Sequence, residues 1–254
     1  MNQQKRLTFI LTELQKVNSL SLKDMMNLTG ASRDTIRRDI IKLADQNLVT
    51  RNYGGISLPN SFSKLDGYLE RSTDLVPIKK RLTKKAVSLI ENEKVLYFDV
   101  STTISLLPQF LPKNQDFFSV TNSIDIADQL LKNSDSKTTI LGGVLDREKR
   151  FSTGGQSILD ISKYHFDMAF LSCAGITKEG IYYAHEEDIP LKEIIREQSK
   201  KLVVICDHTK INTSHNFLLY PFDRIDYLVT DKKLPEIISQ QIDPEKIIYS
   251  KEIS

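Results

Sequence analysis

The sequence predicts an α/β protein in two parts, a small helical part at the N-terminus and a larger part built around a parallel β-sheet. Charge separates the two parts: the first 57 residues hold nine Lys or Arg and five Asp or Glu, and the remaining 197 hold 26 and 28. The residue pattern separates them as well, because continuous apolar runs alternate with helix-like segments from Lys79 onward. That alternation is typical of parallel strands covered by helices on both faces.

The composition is that of an ordinary folded protein, with 40% hydrophobic and 27% charged residues. No apolar run reaches the roughly 18 residues that a membrane-spanning helix needs, and the first residues lack the pattern of a signal peptide. We therefore expect a cytoplasmic protein with no membrane partner. Cys173 and Cys206 each lie inside an apolar run, which predicts buried free thiols rather than a disulfide or a zinc site.

Three helices are predicted in the first part. Helically spaced apolar residues place the first helix over 5–17. Ser21 and Asp24 have the spacing of a capping box, which predicts the start of a second helix. A turn containing Gly30 follows, and Ser32 is a suitable N-cap for the third helix.

The third helix combines an apolar stripe with exposed positive charge. At about 100° per residue, Ile40 and Leu43 fall close to Ile36, whereas Arg37 and Arg38 point away from that stripe. The arginines are therefore free of the core. They could form a solvated helix face, or they could contact a polyanion.

The order of elements favours DNA as the partner. Two helices with a short turn have helix-turn-helix dimensions, and the stretch 48–58 predicts a β-hairpin that would form the wing of a winged helix-turn-helix. Such proteins read paired half-sites of double-stranded operator DNA, so we also expect a homo-oligomer, either a dimer or a tetramer. The residues predicted to contact DNA are Ser32, Arg33, Asp34, Thr35, Arg37, Arg38, Lys42, Arg51 and Tyr53.

Residues 58–77 have prolines near each end and no sustained period, which predicts a linker. The expected organisation is therefore a DNA-binding domain over 1–57, a linker over 58–77 and a second domain over 78–254. In the second domain, the predicted strands are "KVLYFDV", "FFSVT", "TTILGG", "MAFLSCAG", "KLVVIC" and "YLVT", and the predicted helices cover 79–91, 102–111, 123–132 and 188–200.

Polar residues follow two of the predicted strands. Asp99 and the hydroxyls of 101–103 follow one strand, and Asn122 follows the next. In an open α/β sheet, ligands bind beyond the carboxyl ends of the strands. Hydroxyls and free amides at the start of a helix can hold a phosphate, although helix capping would use the same residues. The glycine pairs at 142–143 and 154–155 would let the backbone approach a ligand.

Two later stretches add charged groups near strand ends. "AHEEDIPLKEII" offers Glu186, Glu187, Asp188 and Lys192, and "VICDHTKIN" offers Asp207, His208 and Lys210. These groups could serve as acids and bases or as hydrogen-bonding partners of a polyol phosphate. No metal site is predicted, because the other histidines lack metal-ligand spacing. We expect each of them to be a structural or a surface residue: His165, His185 and His215.

The segment 31–56, "ASRDTIRRDIIKLADQNLVTRNYGGI", resembles the N-terminal signature of the DeoR-type bacterial repressors. The stretches "YFDVSTT", "VTNS", "LGGVLDRE", "FDMAFLSCAGI" and "CDHTK" occur in the order of that family's sensor domain. The resemblance covers nearly the whole chain, with 58–77 its weakest part.

The resemblance implies a winged helix-turn-helix on operator DNA and a Rossmann-like sensor domain similar in fold to phosphosugar isomerases. It implies no cofactor; a phosphorylated sugar would act as the allosteric effector that releases the repressor. The effector contacts that it implies are Asp99, Ser101, Thr102, Thr103, Asn122, Gly142, Gly143, Lys192, Asp207, His208 and Lys210.

The chain departs from the family pattern at two places. Ser101 stands where the family commonly has glycine, so its Cβ narrows the loop and bears on which phosphate fits. Pro190 precedes Lys192, and because proline is tolerated in a first helical turn, we expect the helix to begin near Ile189. The carboxylate that would face the ligand stays open among Glu186, Glu187 and Asp188.

A sugar-responsive repressor is the function that these features favour. A phosphosugar isomerase-like enzyme carrying a DNA-binding head is the alternative, because a shared fold permits it. No pair of acid and base at a defined spacing supports that alternative. A protein that binds DNA without regard to sequence is the third possibility.

Overall fold

A computed structural model describes residues 2–17, 19–46, 48–52, 55–57, 67–112 and 115–250. The chain divides into two compact units, Met1–Lys64 and Leu65–Ser254, which we call the first unit and the second unit.

The first unit consists of three helices and a small antiparallel sheet. The strand order of the sheet is β1-β3-β2, so the predicted hairpin β2–β3 is confirmed and a third strand joins it. Strand β1 was not predicted, because three residues are too few to show a period of two. The elements are α1 (Gln3–Val17), β1 (Ser19–Ser21), α2 (Leu22–Thr29), α3 (Arg33–Asp45), β2 (Thr50–Asn52) and β3 (Gly55–Ser57).

The predicted helix boundaries of this unit rest on local caps that the structure confirms. The Ser21 hydroxyl accepts from the Asp24 amide at 3.1 Å, and the Ser21 amide donates to the Asp24 carboxylate at 3.2 Å. Gly30 ends α2 with a φ of 67°, a left-handed conformation that favours glycine. Ser32 caps α3 by accepting from the Thr35 amide at 3.4 Å.

The core of the first unit forms around the predicted stripe of α3. Ile36, Ile40 and Leu43 are buried against apolar residues of α1. Ile41, which the helical count turned away from the stripe, is 46% exposed. The exposed arginines of α3 therefore do not compete with its packing.

The second unit is built on a seven-stranded parallel sheet with the strand order β15-β14-β12-β9-β4-β5-β6. All six predicted strands belong to this sheet. A separate antiparallel sheet has the order β10-β11-β13, and β7 pairs with β8 in a hairpin. The strands are β4 (Val95–Phe98), β5 (Phe118–Thr121), β6 (Lys137–Ile140), β7 (Val144–Asp146), β8 (Phe151–Thr153), β9 (Phe166–Ser172), β10 (Gly175–Thr177), β11 (Gly180–Tyr183), β12 (Ser199–Cys206), β13 (Phe217–Tyr220), β14 (Tyr227–Thr230) and β15 (Ile247–Tyr249).

Helices cover both faces of the parallel sheet. Leu96 and Phe98 on β4 belong to one apolar cluster, and Tyr97 between them belongs to another, so the strand is buried on both sides. A 3-10 helix, Ile104–Phe110, stands where a helix over 102–111 was expected. The α-helices are α4 (Tyr68–Thr73), α5 (Val76–Val87), α6 (Ile124–Asn133), α7 (Gly155–Ile161), α8 (Ile189–Glu197) and α9 (Glu236–Ser239).

Part of the segment expected to be a linker is structured. Helix α4 falls within it, and the Tyr68 side chain is buried in the second unit. The expectation was wrong for this part, because one short helix shows no sustained period in the sequence. The rest of the expected linker, 58–66, lies outside the described residues.

Cys173 and Cys206 are buried free thiols, as predicted. Among the described helices, none combines the length and the hydropathy that crossing a membrane would require.

Candidate nucleic-acid interface and effector cavities

The outer face of α3 presents most of the residues predicted to contact DNA. Thr35 is half-buried and its hydroxyl lies 2.9 Å from that of Ser32. Arg51 lies on β2, but its side chain is outside the described atoms, as is the whole of Tyr53. The predicted contacts that are exposed on the described surface are Ser32, Arg33, Asp34, Arg37, Arg38 and Lys42.

Two adjoining cavities of the second unit lie at the carboxyl ends of β4, β5 and β9. The larger, of about 170 Å³, lies between Asn122, the start of α7 and the start of α8. The smaller, of about 70 Å³, is lined by Asp99, Ser101 and Arg71 among others. Both cavities share Asp188 and Lys192. They lie where ligands bind in open parallel sheets.

Lys192, which lines both cavities, forms a buried ion pair with Asp99 of the smaller cavity. Lys192 Nζ lies 2.5 Å from Asp99 Oδ2, and the two side chains are 4% and 2% exposed. The ammonium also lies 5.0 Å from the centre of the Tyr183 ring, a cation–π contact. The Tyr220 hydroxyl donates to the Lys192 carbonyl at 2.6 Å, which fixes α8 against β13.

The charges of this pair depend on each other. Burial raises the pKa of the Asp99 carboxyl above its ordinary value, although the Lys192 ammonium opposes the shift. Burial disfavours the Lys192 ammonium, but Asp99 and Asp188 outweigh that effect and raise the pKa of Lys192. The lysine is therefore charged at neutral pH and faces two carboxyl groups.

The loop after β4 differs from the expectation of free amides. The Ser101 hydroxyl accepts from the amides of Thr103 at 3.0 Å and of Ile104 at 3.4 Å. The serine side chain thus folds back onto the turn that precedes the 3-10 helix and occupies these two amides, which is the capping alternative for these residues. Asn122 supports the same loop by accepting from the Val100 amide at 3.0 Å.

Lys79 is a buried cation at this loop that sequence reasoning missed. Its ammonium, on α5, donates to Thr102 Oγ1 at 3.0 Å and to the carbonyl oxygen of Arg71 at the end of α4. Burial lowers the pKa of Lys79, although the nearby Asp207 carboxylate opposes the shift. The residue lies in a lysine-rich helix, where a sequence cannot distinguish the buried lysine from its solvated neighbours.

Several predicted effector residues line neither cavity. The Asp207 carboxylate accepts from the Thr209 amide at 2.9 Å, and His208 Nδ1 lies 2.7 Å from Asp231 Oδ2. Lys210 follows them on the same loop after β12. Gly142 and Gly143 are exposed between β6 and β7, and the second glycine pair, 154–155, lines the larger cavity instead.

The three candidate carboxylates of "HEED" have different surroundings. Asp188 is half-buried and lines both cavities. Glu187 forms an ion pair with Lys149 at 2.6 Å, and each of these two lines one cavity. Glu186 is exposed and lines neither. Pro190 lies in the first turn of α8, which begins at Ile189 as expected.

The cavities combine groups suited to a polar anion. Arg71, Lys149 and Lys192 supply positive charge, while Asp99 and Asp188 can accept from hydroxyls. Within the described part of the chain, no three His, Cys, Asp or Glu side chains are grouped to hold a metal ion.

Comparisons with known proteins place both parts of the chain in one family. Residues 6–62 match the DeoR-like helix-turn-helix domain, and residues 76–232 match the DeoR C terminal sensor domain. The chain is 34% identical over 232 residues to the HTH-type transcriptional repressor GlcR of Bacillus subtilis, which covers 91% of this chain and 90% of that protein. It is 27% identical to the glycerol-3-phosphate regulon repressor of Escherichia coli, over 94% of this chain and 95% of the relative.

Among solved structures, ribose 5-phosphate isomerase A from Methanocaldococcus jannaschii is similar over 52% of this chain and 53% of its own. The TM-score is 0.38 at 16% identity, a likeness that carries no argument about activity. The two domain matches and the matched repressors lead to one conclusion: the chain belongs to the DeoR family and is a DNA-binding transcriptional regulator.

Proposed function

We propose that this chain represses a sugar-utilisation operon and that a phosphorylated sugar, bound in the second unit, releases it from operator DNA. The observation that carries the proposal is the pair of adjoining cavities that share Lys192, whose ammonium forms a buried ion pair with Asp99 in the smaller one. One of the matched relatives is named as the repressor of the glycerol-3-phosphate regulon.

The positive groups near the loop after β4 suit a phosphate. Arg71 and Ser101 line the smaller cavity, and the Lys79 ammonium is bonded to Thr102 in the adjacent turn. A phosphate dianion would gain charge-assisted hydrogen bonds from these groups. Lys79 itself lines neither cavity, but its buried ammonium is held by Thr102, the neighbour of Ser101, so we propose Lys79 as a phosphate contact reached through this loop.

The carboxylates suit the hydroxyls of the sugar. Asp188 is half-buried and faces both cavities, and Asp99 is held in place by Lys192. Carboxylate oxygens accept hydrogen bonds from hydroxyl groups, which would fix the orientation of a polyol. The proposed ligand therefore carries a phosphate at one end and several hydroxyls at the other.

Helix α4 offers a route from the cavity to the DNA-binding unit. Tyr68 and Arg71 on α4 line the smaller cavity, and α4 is the first described helix after the segment that joins the two units. Lys79 contacts the carbonyl oxygen at the end of this helix. We propose that effector binding shifts α4, which requires that the effector bind the DNA-free and DNA-bound states with different affinities.

The proposal is tested by measuring operator affinity in the presence of phosphorylated sugars. The operator is the duplex that the wild-type chain selects from a randomised DNA pool. We expect one member of a panel of hexose phosphates, pentose phosphates and glycerol 3-phosphate to weaken binding by about 5- to 150-fold. Inorganic phosphate and the free sugars serve as controls. A panel that never alters operator affinity would contradict the effector part of the proposal.

Matched variants locate the effector site. Lys79→Met should abolish the effector response while operator affinity without effector stays at the wild-type level. Lys80→Met is the control, because Lys80 is the exposed neighbour on the same helix. An unchanged effector response in Lys79→Met would remove Lys79 from the site.

We propose no catalytic role for the second unit. Asp99 and Lys192 form a hydrogen-bonded ion pair with each other, so neither is a free acid or base. The matched relatives are named as regulators. Incubation with ribose 5-phosphate or glucosamine 6-phosphate should give no turnover. Turnover that disappears in Lys192→Met or Asp207→Asn would revive the enzyme alternative.

A further inference from the structure

A buried ion pair joins the first helix of the first unit to the helix that presents the exposed arginines. Arg6 on α1 donates from Nε to Asp39 Oδ2 at 2.5 Å and from Nη2 to Asp39 Oδ1 at 3.2 Å. Gln3 Nε2 donates to the same Oδ1 at 3.0 Å. The side chains of Arg6 and Asp39 are 11% and 0% exposed. Because both donors of the fork engage one carboxylate, the contact constrains direction as well as distance.

Asp39 lies at the border of the apolar stripe of α3. At about 100° per residue, it is about 60° from Ile36 on one side, and Arg37 is about 100° away on the other. Arg38, the preceding residue, points nearly opposite to Ile36. A rotation of α3 about its axis would therefore move Asp39 and both arginines together.

Apolar packing alone defines that rotation loosely. Contacts of Ile36, Ile40 and Leu43 with α1 are favourable over a range of angles, because hydrophobic attraction has no direction. A side-chain tip about 6 Å from the helix axis moves about 2 Å when the helix rotates by about 20°. That distance exceeds the range of a good hydrogen bond, which spans about 0.5 Å. The forked contact is the directional restraint.

A buried ion pair is weak evidence of a contribution to stability. Replacing a buried ion pair with apolar residues of similar volume is often neutral or stabilising, whereas removing one partner is costly. A pair that is dispensable for stability can still select one arrangement of the helices.

We propose that Arg6 and Asp39 are positioning residues for DNA recognition: their buried pair sets the rotation of α3 on α1 so that Arg37 and Arg38 meet the base edges in register. The proposal rests on the proposed reading of a specific operator. Gln3 adds a second contact between α1 and α3, since its Oε1 accepts from Lys42 Nζ at 3.2 Å.

The experiment compares the wild-type full chain with the double variant Arg6→Met/Asp39→Leu, which keeps the net charge. The two probes are the duplex selected by the wild-type chain and a scrambled duplex of the same composition. We expect a melting temperature within about 5 °C of the wild type, because apolar residues can replace a buried pair. We expect operator affinity to fall about 10- to 100-fold, as for lost base contacts, with scrambled-duplex affinity changed less than about threefold.

The matched control is Lys5→Met/Asp45→Asn, which removes one exposed charge of each sign from the same two helices. It should keep the wild-type ratio of operator to scrambled affinity. A folded double variant that also keeps this ratio would overturn the positioning role. A wild-type chain that selects no sequence would instead remove the operator reading on which the proposal rests.

Arg6→Lys keeps the test decisive if the double variant does not fold. Lysine retains the buried charge and loses the fork, so the proposal expects a reduced ratio at a temperature where circular dichroism shows the wild-type helix content. A wild-type ratio in Arg6→Lys would show that the forked geometry is not needed.

Discussion

The two units each contain a short, buried ion pair, and the surroundings of the pairs differ. In the first unit, the Asp39 carboxylate takes three donors from Arg6 and Gln3. Both carboxylate oxygens are thereby occupied. In the second unit, Lys192 meets Asp99 through one ammonium contact, and both side chains line a cavity. We call the first pair closed, because its own helices surround it, and the second pair open, because it lines a cavity that we propose holds the effector.

The difference suggests two uses of a buried ion pair: one fixes the geometry of two helices, and the other leaves groups available to a further partner. A closed pair has its hydrogen bonds satisfied and defines geometry, so altering it should change how α3 is presented. An open pair retains capacity for further partners, since Lys192 faces Asp188 and the Tyr183 ring as well as Asp99. Breaking the open pair should therefore affect both stability and ligand binding.

Removing the cation of the open pair should have the largest effect. Lys192→Met leaves the Asp99 carboxyl buried without its counter-charge, so we expect the free energy of unfolding to fall by about 3–5 kcal/mol. Urea denaturation followed by circular dichroism measures this change. The raised pKa of Lys192 adds a pH signature: the pair's contribution is present below the ordinary lysine pKa and is lost as pH rises through the folded-state value.

An exposed ion pair of the second unit provides the control. Lys200 pairs with Asp167 at 2.7 Å, and its side chain is 76% exposed. Lys200→Met should cost less than about 1 kcal/mol. Equal losses in Lys200→Met and Lys192→Met would contradict the distinction between buried and exposed pairs.

The apolar stripe beside the closed pair should show the next largest effect. Ile36 is fully buried, so Ile36→Ala should reduce the free energy of unfolding by about 2–5 kcal/mol through lost burial and a cavity. Ile41→Ala on the same helix should cost less than about 1 kcal/mol, because Ile41 is 46% exposed. Thermal melts of the two variants make the comparison, and similar losses would mean that the stripe is misplaced.

The architecture was predictable from sequence where the signals are local. The caps at Ser21 and Ser32 and the left-handed Gly30 place helix ends within a few residues. The six predicted strands have continuous apolar runs because both faces of the sheet are covered. The antiparallel sheet β10-β11-β13 was missed, since β10 and β11 are too short to show a period of two and β13 joins them from far along the chain.

The candidate site was predictable only in part. Asp99, Ser101, Asn122 and Lys192 follow strands or begin a helix, and the sheet gathers them at one edge. Lys79 could not be singled out, because its burial depends on how α5 packs against the loop of Thr102. The roles of Asp207, His208 and Lys210 as effector contacts stay predictions.

The glycine pair 142–143, between β6 and β7, gives a third, smaller effect. Gly143 has a φ of 146°, and a Cβ there would lie 2.4 Å from the Thr153 carbonyl oxygen. Gly143→Ala should therefore destabilise the fold by about 1–3 kcal/mol. Gly142→Ala is the control, because its Cβ would meet only ordinary contacts at 3.7 Å. Denaturant titrations in which both variants match the wild type would show that the β6–β7 turn tolerates a side chain.

The smallest predicted effect concerns His215, a half-buried base, whereas the two ion pairs are almost fully buried. Burial lowers the pKa of His215 to about 4, and Lys210 adds to the shift. The unfolded chain binds this proton near pH 6.5, and the folded chain binds it only near pH 4, so acid favours unfolding between these values. We expect a loss of about 1–2 kcal/mol across that range, reduced from the full shift by partial solvent exposure.

Urea titrations at pH 7, 6, 5 and 4 measure the free energy of unfolding across this range. Carboxylates also titrate there, but they are the same in the wild type and the variants, so differences between these proteins isolate the histidine. His215→Gln should flatten the dependence relative to the wild type, whereas His165→Gln, at an exposed position, should not. If His215→Gln and the wild type lose stability in parallel, the histidine is not held neutral in the folded chain. The half-buried histidine would then titrate like an exposed one, and its burial would not be enough to disfavour the charged ring.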